Sequence, residues 1–248
     1  MTQVPNFVAD RITRPAHLKY IVENSTPVVC FGDVTQARVL TIGINPSSSE
    51  FTKLVGNQRQ LLSGSERKLA DLVHLRANST ESLTPAQVSQ IWQNCLDYFD
   101  GPYYKSWFSK MQESVLDPMK ASYVGRSAAH LDLIQWATDP LWQKMLDDDP
   151  QEAAAHLAAD LPFLEKQLEE SSAEIIFLSG TPVIETLKNK FQLTLIGKTD
   201  AKGKTSQNNL FLGNWNGTKV LGTSMNVPDS YTSNAHRDFL RIWISENI

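Results

Sequence analysis

The sequence predicts an α/β protein: a three-layer α/β/α sandwich on a mainly parallel central sheet, formed as one domain over residues 1–248. Three observations predict it. Four short apolar or β-branched runs, at 38–44, 128–134, 173–179 and 219–223, alternate with amphipathic helical stretches. One of these runs, 173–179 (AEIIFLS), passes through Gly180-Thr181-Pro182 into a helix, which is the βα unit of a parallel sheet. Finally, 248 residues at 41% hydrophobic content suffice for one sizeable core, and no repeat, low-complexity tract or long linker divides the chain.

The elements follow in order. Residues 8–23 suggest a helix interrupted near Pro15, and 27–31 a short edge strand. The run 38–44 (RVLTIGI) reads as a buried strand ending at Asn-Pro. Residues 65–76 suggest a helix capped by Ser65. Thr84-Pro85 opens the clearest helix, with Thr as N-cap and Pro in the first turn, and Gly101-Pro102 stops it. Its apolar face is Val88, Ile91, Trp92, Cys95 and Phe99. A second amphipathic helix covers 104–116, with Trp107, Phe108, Met111 and Val115 on its core side. The strand 128–134 (AAHLDLI) comes next, then a helix over 151–168 with a break or kink expected at Pro162. After the 173–179 strand a helix runs through Lys190. Short strands at 193–196 and 209–212 flank a Lys/Gly loop, and 219–223 (KVLGT) is the last central strand. Ser233 caps a C-terminal helix whose apolar face is Phe239, Leu240, Trp243 and Ile244.

Composition narrows the functional classes. A net charge of −4 argues against binding nucleic acid by bulk electrostatics. A local cluster of Lys188, Lys190, Lys198, Lys202 and Lys204 reads as a solvated loop. Two cysteines, Cys30 and Cys95, fit free thiols in a reducing compartment, and they cannot build a four-thiolate metal site. The five histidines show no metal-ligand spacing, so neither a metal nor a cofactor is expected. No stretch reaches the ~20 apolar residues of a membrane helix, and no membrane partner is expected. The first ten residues have no apolar core of a secretory signal, so the expected location is the cytoplasm. Nucleophile-elbow, P-loop and dinucleotide-binding glycine motifs are missing, which disfavours phosphoryl and hydride transfer and leaves an unrelated hydrolase without a nucleophile.

In parallel α/β sheets, ligands bind outside the carboxyl ends of the strands. Three loops meet that rule. The first is Gly43-Ile44-Asn45-Pro46-Ser47-Ser48-Ser49-Glu50-Phe51. Pro46 pushes Asn45 toward an extended conformation at a strand end, where its amide can both donate and accept. The same residues also suit an ordinary Asn-Pro-Ser turn. The second loop follows His130-Leu131-Asp132, where a polar Asp132 in an apolar strand needs a partner if buried. It serves equally well as a satisfied structural carboxylate. The third, 223–234, carries Ser224, Asn226, Tyr231 and Asn234 between a strand and a helix, and its composition is that of many connecting loops.

Together these loops resemble the uracil-DNA glycosylase superfamily, closest to the mismatch-specific and single-strand-selective branches with Gly-x-Asn-Pro, here Gly43-Ile44-Asn45-Pro46. The resemblance spans roughly residues 38–245, and only this first motif is fairly specific. It implies a uracil-DNA glycosylase-like domain, acting as a monomer without cofactor, that hydrolyses the N-glycosidic bond of a damaged or mismatched base flipped out of DNA. Asn45 matches the water-positioning residue and Phe51 the aromatic that stacks on the base. The loop 223–234 matches the intercalating loop, with Tyr231 as its wedge, and Ser224 and Asn226 as contacts to phosphate or to the departing base anion. Gly43, Ile44, Pro46, Ser47, Asp132 and Asn234 complete the substrate-binding set. Two departures stand out. Where the family commonly has His-Pro-Ser, this chain has Asn226-Val227-Pro228-Asp229-Ser230. Where the family reads the base edge with Asn, this chain offers Asp132, an acceptor suited to an amino-bearing base. The runner-up is a catalytically inactive module of the same fold that binds a nucleobase, a nucleotide or a nucleic-acid end. The iron–sulfur branches are excluded, since two cysteines cannot supply their four ligands.

Overall fold

Strand-forming sequence in this chain concentrates where both faces are covered. A computed structural model describes residues 3–15, 18–198, 208–229 and 232–248. Its strands are β1 (Val39–Gly43), β2 (Thr52–Val55), β3 (Gln58–Leu61), β4 (Ala128–Asp132), β5 (Ile175–Ser179), β6 (Thr194–Lys198), β7 (Asn209–Trp215) and β8 (Thr218–Thr223). Its helices are α1 (Asn6–Ile12), α2 (Leu72–Leu75), α3 (Pro85–Leu96), α4 (Lys105–Met111), α5 (Trp142–Asp148), α6 (Pro150–Glu170), α7 (Thr181–Leu187) and α8 (Asn234–Asn247). No described helix is long and apolar enough to cross a membrane.

The chain packs as two units. One comprises Val34–Gly43, Tyr104–His130 and Ser172–Ile248. It holds nearly all of a sheet that has, among the described residues, six strands in the order β4-β1-β5-β8-β7-β6. β1 pairs parallel with β5, and β5 with β8. Arg38 N–H donates to Ser127 and Ile134 N–H to Ile44, pairings that advance in the same direction, so β4 also runs parallel to β1. β7 and β6 then continue the sheet antiparallel. The fold is therefore α/β with a mostly parallel central sheet. β1 and β5 are buried at every position, as continuous apolar runs in a parallel sheet should be. β1 sits where the strand order reverses, with β4 on one side and β5 on the other, so its carboxyl end at Gly43 lies at a topological switch point.

The other unit comprises Met1–Asp33, Ile44–Tyr103 and Leu131–Ser171. Here α1 packs on α3 and α6, and α5 on α6. The Thr84 capping box and Pro85 start α3 as the sequence indicates. Arg11 and Asp160, both fully buried, form a 2.8 Å ion pair. Gln135 joins them, accepting from Arg11 Nε at 3.0 Å and donating its backbone N–H to Asp160 at 2.8 Å.

Several expected elements are corrected. α1 ends at Ile12 rather than running to 23, because Pro15 lacks an N–H and restricts the residue before it. Residues 27–31 form no ladder strand: Val28 N–H bonds Gln135 O at 2.7 Å and Val29 O accepts Gln167 Nε2 at 2.6 Å. A buried apolar run fits such an extended segment as well as a strand. The helix over 65–76 shrinks to a 3-10 turn at Gly64–Glu66 and the single turn α2, capped by Asp71 rather than Ser65 and closed by Arg76 in the left-handed region. The hairpin β2–β3 and the helix α5 form in segments for which the sequence reading names no element. α4 gives way to a π turn at Gln112–Leu116. α6 passes through Pro162 unbroken: Pro162 and Ala158, whose carbonyl loses its helical donor, are both exposed, so water can serve that carbonyl. At the C-terminus the Ser233 hydroxyl caps α8, and its buried face is His236, Leu240, Trp243 and Ile244, with Phe239 half-buried.

Candidate functional site

The site is built on the turn that follows β1. Ile44 closes the strand by accepting from Ile134 N–H at 3.0 Å. Asn45 comes next, half-buried and held by its side chain. Its Nδ2 donates to Thr138 Oγ1 at 2.9 Å and to Pro46 O at 3.2 Å. Thr138 is itself buried and donates onward to Pro140 O at 3.1 Å, and Ser47 bridges to Thr138 in parallel register. The amide nitrogen is thus committed to the protein, while Asn45 Oδ1 accepts no hydrogen bond among the described residues. A half-buried amide oxygen fixed in direction can accept from one water or one substrate N–H.

Ser47 then caps a short 3-10 turn, Ser48–Glu50, its hydroxyl accepting from Ser49 N–H at 3.2 Å. The turn carries Glu50 inward, to 2% exposure. Tyr98 OH donates to Glu50 Oε2 at 2.6 Å, and the Tyr98 ring is fixed edge-on between Phe31 and Phe99. Lys68 Nζ donates to Ser49 O, across the same turn. Burial pushes the Glu50 carboxyl up to about 7. The Tyr98 hydrogen bond and the Lys68 charge oppose that rise, and the negative charge of Asp132 adds to it. Asp132, 5% exposed, is a further buried carboxylate of this unit, and its charge acts on Glu50.

Pro46 and Phe51 are buried with the same turn, and Phe51 is bonded at its carbonyl by Leu62 N–H at 2.8 Å. Asn45, Pro46, Ser47, Phe51 and Asp132 thus belong to one unit, with Ile44. Gly43, Ser224, Asn226 and Asn234 belong to the other. There Ser224 ties β8 to β7: its Oγ accepts from Asn209 N–H at 2.8 Å, and its own N–H donates to Asn209 O at 3.0 Å. Asn226 is exposed, and its side-chain amide makes no hydrogen bond among the described residues, while its carbonyl accepts from Thr232 Oγ1 at 2.7 Å. Asn234 accepts from Arg237 at 2.7 Å. Tyr231, and Lys202 and Lys204 of the basic cluster, lie outside the described residues. His130 is buried, its Nδ1 2.8 Å from Thr41 Oγ1 and its ring edge-on to Trp107 and Phe108.

Sequence reasoning missed Glu50, Tyr98 and Thr138. Glu50 had a signal: it is the lone acid in a run of serines, directly before Phe51. Thr138 had none, since its tie to Asn45 spans 93 residues of chain. Among the described residues, no group of three or more His, Cys, Asp or Glu side chains is placed to hold a metal ion. Compared with known proteins, the chain matches no family model and no curated sequence.

Proposed function

We propose that this chain is a uracil-DNA glycosylase-like hydrolase of a three-layer α/β/α type, cleaving the N-glycosidic bond of a base flipped from DNA. The observation that carries the reading is the Asn45 amide, pinned at its nitrogen by Thr138 and open at its oxygen. Asn45 Oδ1 accepts one hydrogen of a water and so aims its lone pair at C1′ of the sugar. The C1′–N bond breaks, and its electron pair leaves with the base. The water oxygen bonds the cationic sugar carbon, and the water proton passes to solvent or to a carboxylate, because an amide cannot take it. Asp132 supplies negative charge that favours the developing sugar cation, as preorganised electrostatics does in general. Glu50, largely protonated below about pH 7, spares the site a second negative charge that would repel DNA phosphates. Phe51, at 3% exposure, is sealed within the turn and offers little surface to a flipped base, so the reading rests on Asn45 and not on stacking.

The hydrolase and the catalytically inactive module separate experimentally. Oligonucleotides bearing uracil, hypoxanthine, xanthine or a mismatch are incubated with the protein and then cleaved with alkali. Strand breaks at the modified position are expected, and Asn45→Ala should reduce them by about 100-fold, the usual scale for a misplaced reactant. Intact strands on every substrate at high protein concentration would sink the hydrolase reading, and binding with intact strands would leave the module.

A further inference from the structure

The turn that carries Asn45 and Glu50 leads directly into the hairpin β2–β3, whose setting is unusual. Its base is anchored, with Thr52 buried and Leu62 N–H bonded to Phe51 O at 2.8 Å. Beyond that base, every residue from 53 to 60 is exposed, and among the described residues no third strand pairs with the ribbon. Two-stranded ribbons are marginal in water without a third layer. This one also presents apolar side chains to solvent at its end: Leu54 is 65% exposed and Val55 46%. The register puts Lys53 opposite Gln60, Leu54 opposite Arg59, and Val55 opposite Gln58. Each cross-strand pair shares a face, so each face combines an apolar side chain with a cation.

Charge gives the surface a direction. The chain as a whole carries −4. Residues 53–68 carry four cations, Lys53, Arg59, Arg67 and Lys68, against the single Glu66, a net +3. Lys53 pairs with Glu66 as a solvent-exposed pair, and Arg59 holds Asp139 through both Nε and Nη2, its side chain 31% exposed. Water already weakens the exposed Lys53–Glu66 pair, so a phosphate can take the place of that carboxylate, and a phosphate offers the Arg59 fork the same two-oxygen geometry that Asp139 does. Gln58, Gln60 and Asn57 add neutral donors and acceptors of the kind that contact phosphates and base edges.

We propose that the β2–β3 hairpin is a DNA-engaging ribbon. Lys53 and Arg59 take backbone phosphates, and Leu54 and Val55 press on the base stack beside the flipped nucleotide, as apolar wedges do in proteins that kink DNA. The inference rests on the glycosylase-like reading for its choice of partner. It places the DNA contact on the element next to Asn45 in sequence, independently of the loop 223–234.

The test uses the full chain and a fluorescein-labelled 20-base-pair duplex with one deaminated base. Binding is measured by anisotropy across salt concentrations, and base release is measured on the same duplex. Lys53→Gln/Arg59→Gln should lower the salt slope of log Kd by about 1.8, because each phosphate neutralised by a cation adds roughly 0.9 to it. Leu54→Ser/Val55→Ser should leave the slope unchanged but reduce base release at saturating protein by at least tenfold. All four positions are solvent-exposed, so matched melting curves confirm folding. Equal slopes and equal base release in wild type and variants overturn the ribbon while leaving the hydrolase reading intact. A reduced slope in a protein that never releases a base supports the ribbon and removes the hydrolase. A wild-type chain that does not bind the duplex overturns the ribbon, and free nucleosides then test the chemistry separately.

Discussion

Glu50 shows how a single position ties folding to the proposed chemistry. A carboxyl at 2% exposure cannot be solvated as an anion, and the donor that it meets instead is the Tyr98 hydroxyl. Burial is the largest cause of its rise to about 7, with the Asp132 charge a smaller cause in the same direction. The sign follows from proton uptake. Between the ordinary value of 4.5 and about 7, the folded chain holds a proton that the unfolded chain has released. Stability therefore falls as pH rises through that window, by about 3 kcal/mol in all at 1.36 kcal/mol per unit, and levels off above it. Glu50→Gln keeps an acceptor for Tyr98 and cannot ionise. Its unfolding free energy, measured in urea at pH 5 and pH 8, should fall less than that of the wild type by about that amount. Parallel pH dependence in the two proteins would mean that the carboxyl is solvated after all.

At the scale of elements, the central parallel strands were the most legible part of the sequence. Runs such as IIFLS need burial on both faces, and a covered parallel sheet supplies it. The start of α3, with its Thr84 capping box and Pro85, was legible for a local reason, whereas its end at Leu96 comes before the Gly101-Pro102 stop that the sequence predicts, with a 3-10 turn at Tyr98–Asp100 between. What escaped was set by distant partners. The segment 27–31 is extended but bonded by Gln135 and Gln167, and nothing in its own residues names them. The Gly-Ile-Asn-Pro turn was visible, whereas the Thr138 hydroxyl that orients it and the inward turn of Glu50 were tertiary facts. Two strand glycines show the same contrast in energetic form. A Cβ on Gly213 would stand 2.4 Å from the backbone carbonyl of Phe191, a close approach that cannot relax locally. A Cβ on Gly222 would meet only the tip of Ile184, at 2.7 Å, as its nearest neighbour, and that tip can rotate. Gly213→Ala should cost about 1–3 kcal/mol, the range for overpacking, and Gly222→Ala clearly less. Thermal melts of both variants decide it, and equal losses would refute the distinction.

At the scale of the whole molecule, each unit is assembled from three separated stretches of chain, so neither can form from local sequence alone. In the unit that carries Asn45, Arg11 from the first stretch is joined to Asp160 from the third across 149 residues, and Gln135 completes the joint. Arg11 also lies over the Trp136 ring at 5.5 Å, and its Nη1 is buried with no hydrogen-bond partner among the described residues. Burial pulls the Arg11 pKa below its ordinary value, and Asp160 is what opposes that pull. Among the described residues the cation thus has one counter-ion, and it is fully buried. Asp160→Asn keeps the shape and removes that counter-ion, which for a buried pair costs about 3–5 kcal/mol. Against a total stability of about 5–15 kcal/mol, this is a large fraction. The urea midpoint should drop accordingly with the slope unchanged, because the same surface is exposed on unfolding. Arg11→Met/Asp160→Leu removes both charges together and should recover the part of the loss that lies in the orphaned charge, while the buried Gln135 N–H and Oε1, which lose their partners, keep the recovery incomplete. A loss below about 1 kcal/mol in Asp160→Asn would place the pair among exposed ones and show that the three stretches are held together elsewhere.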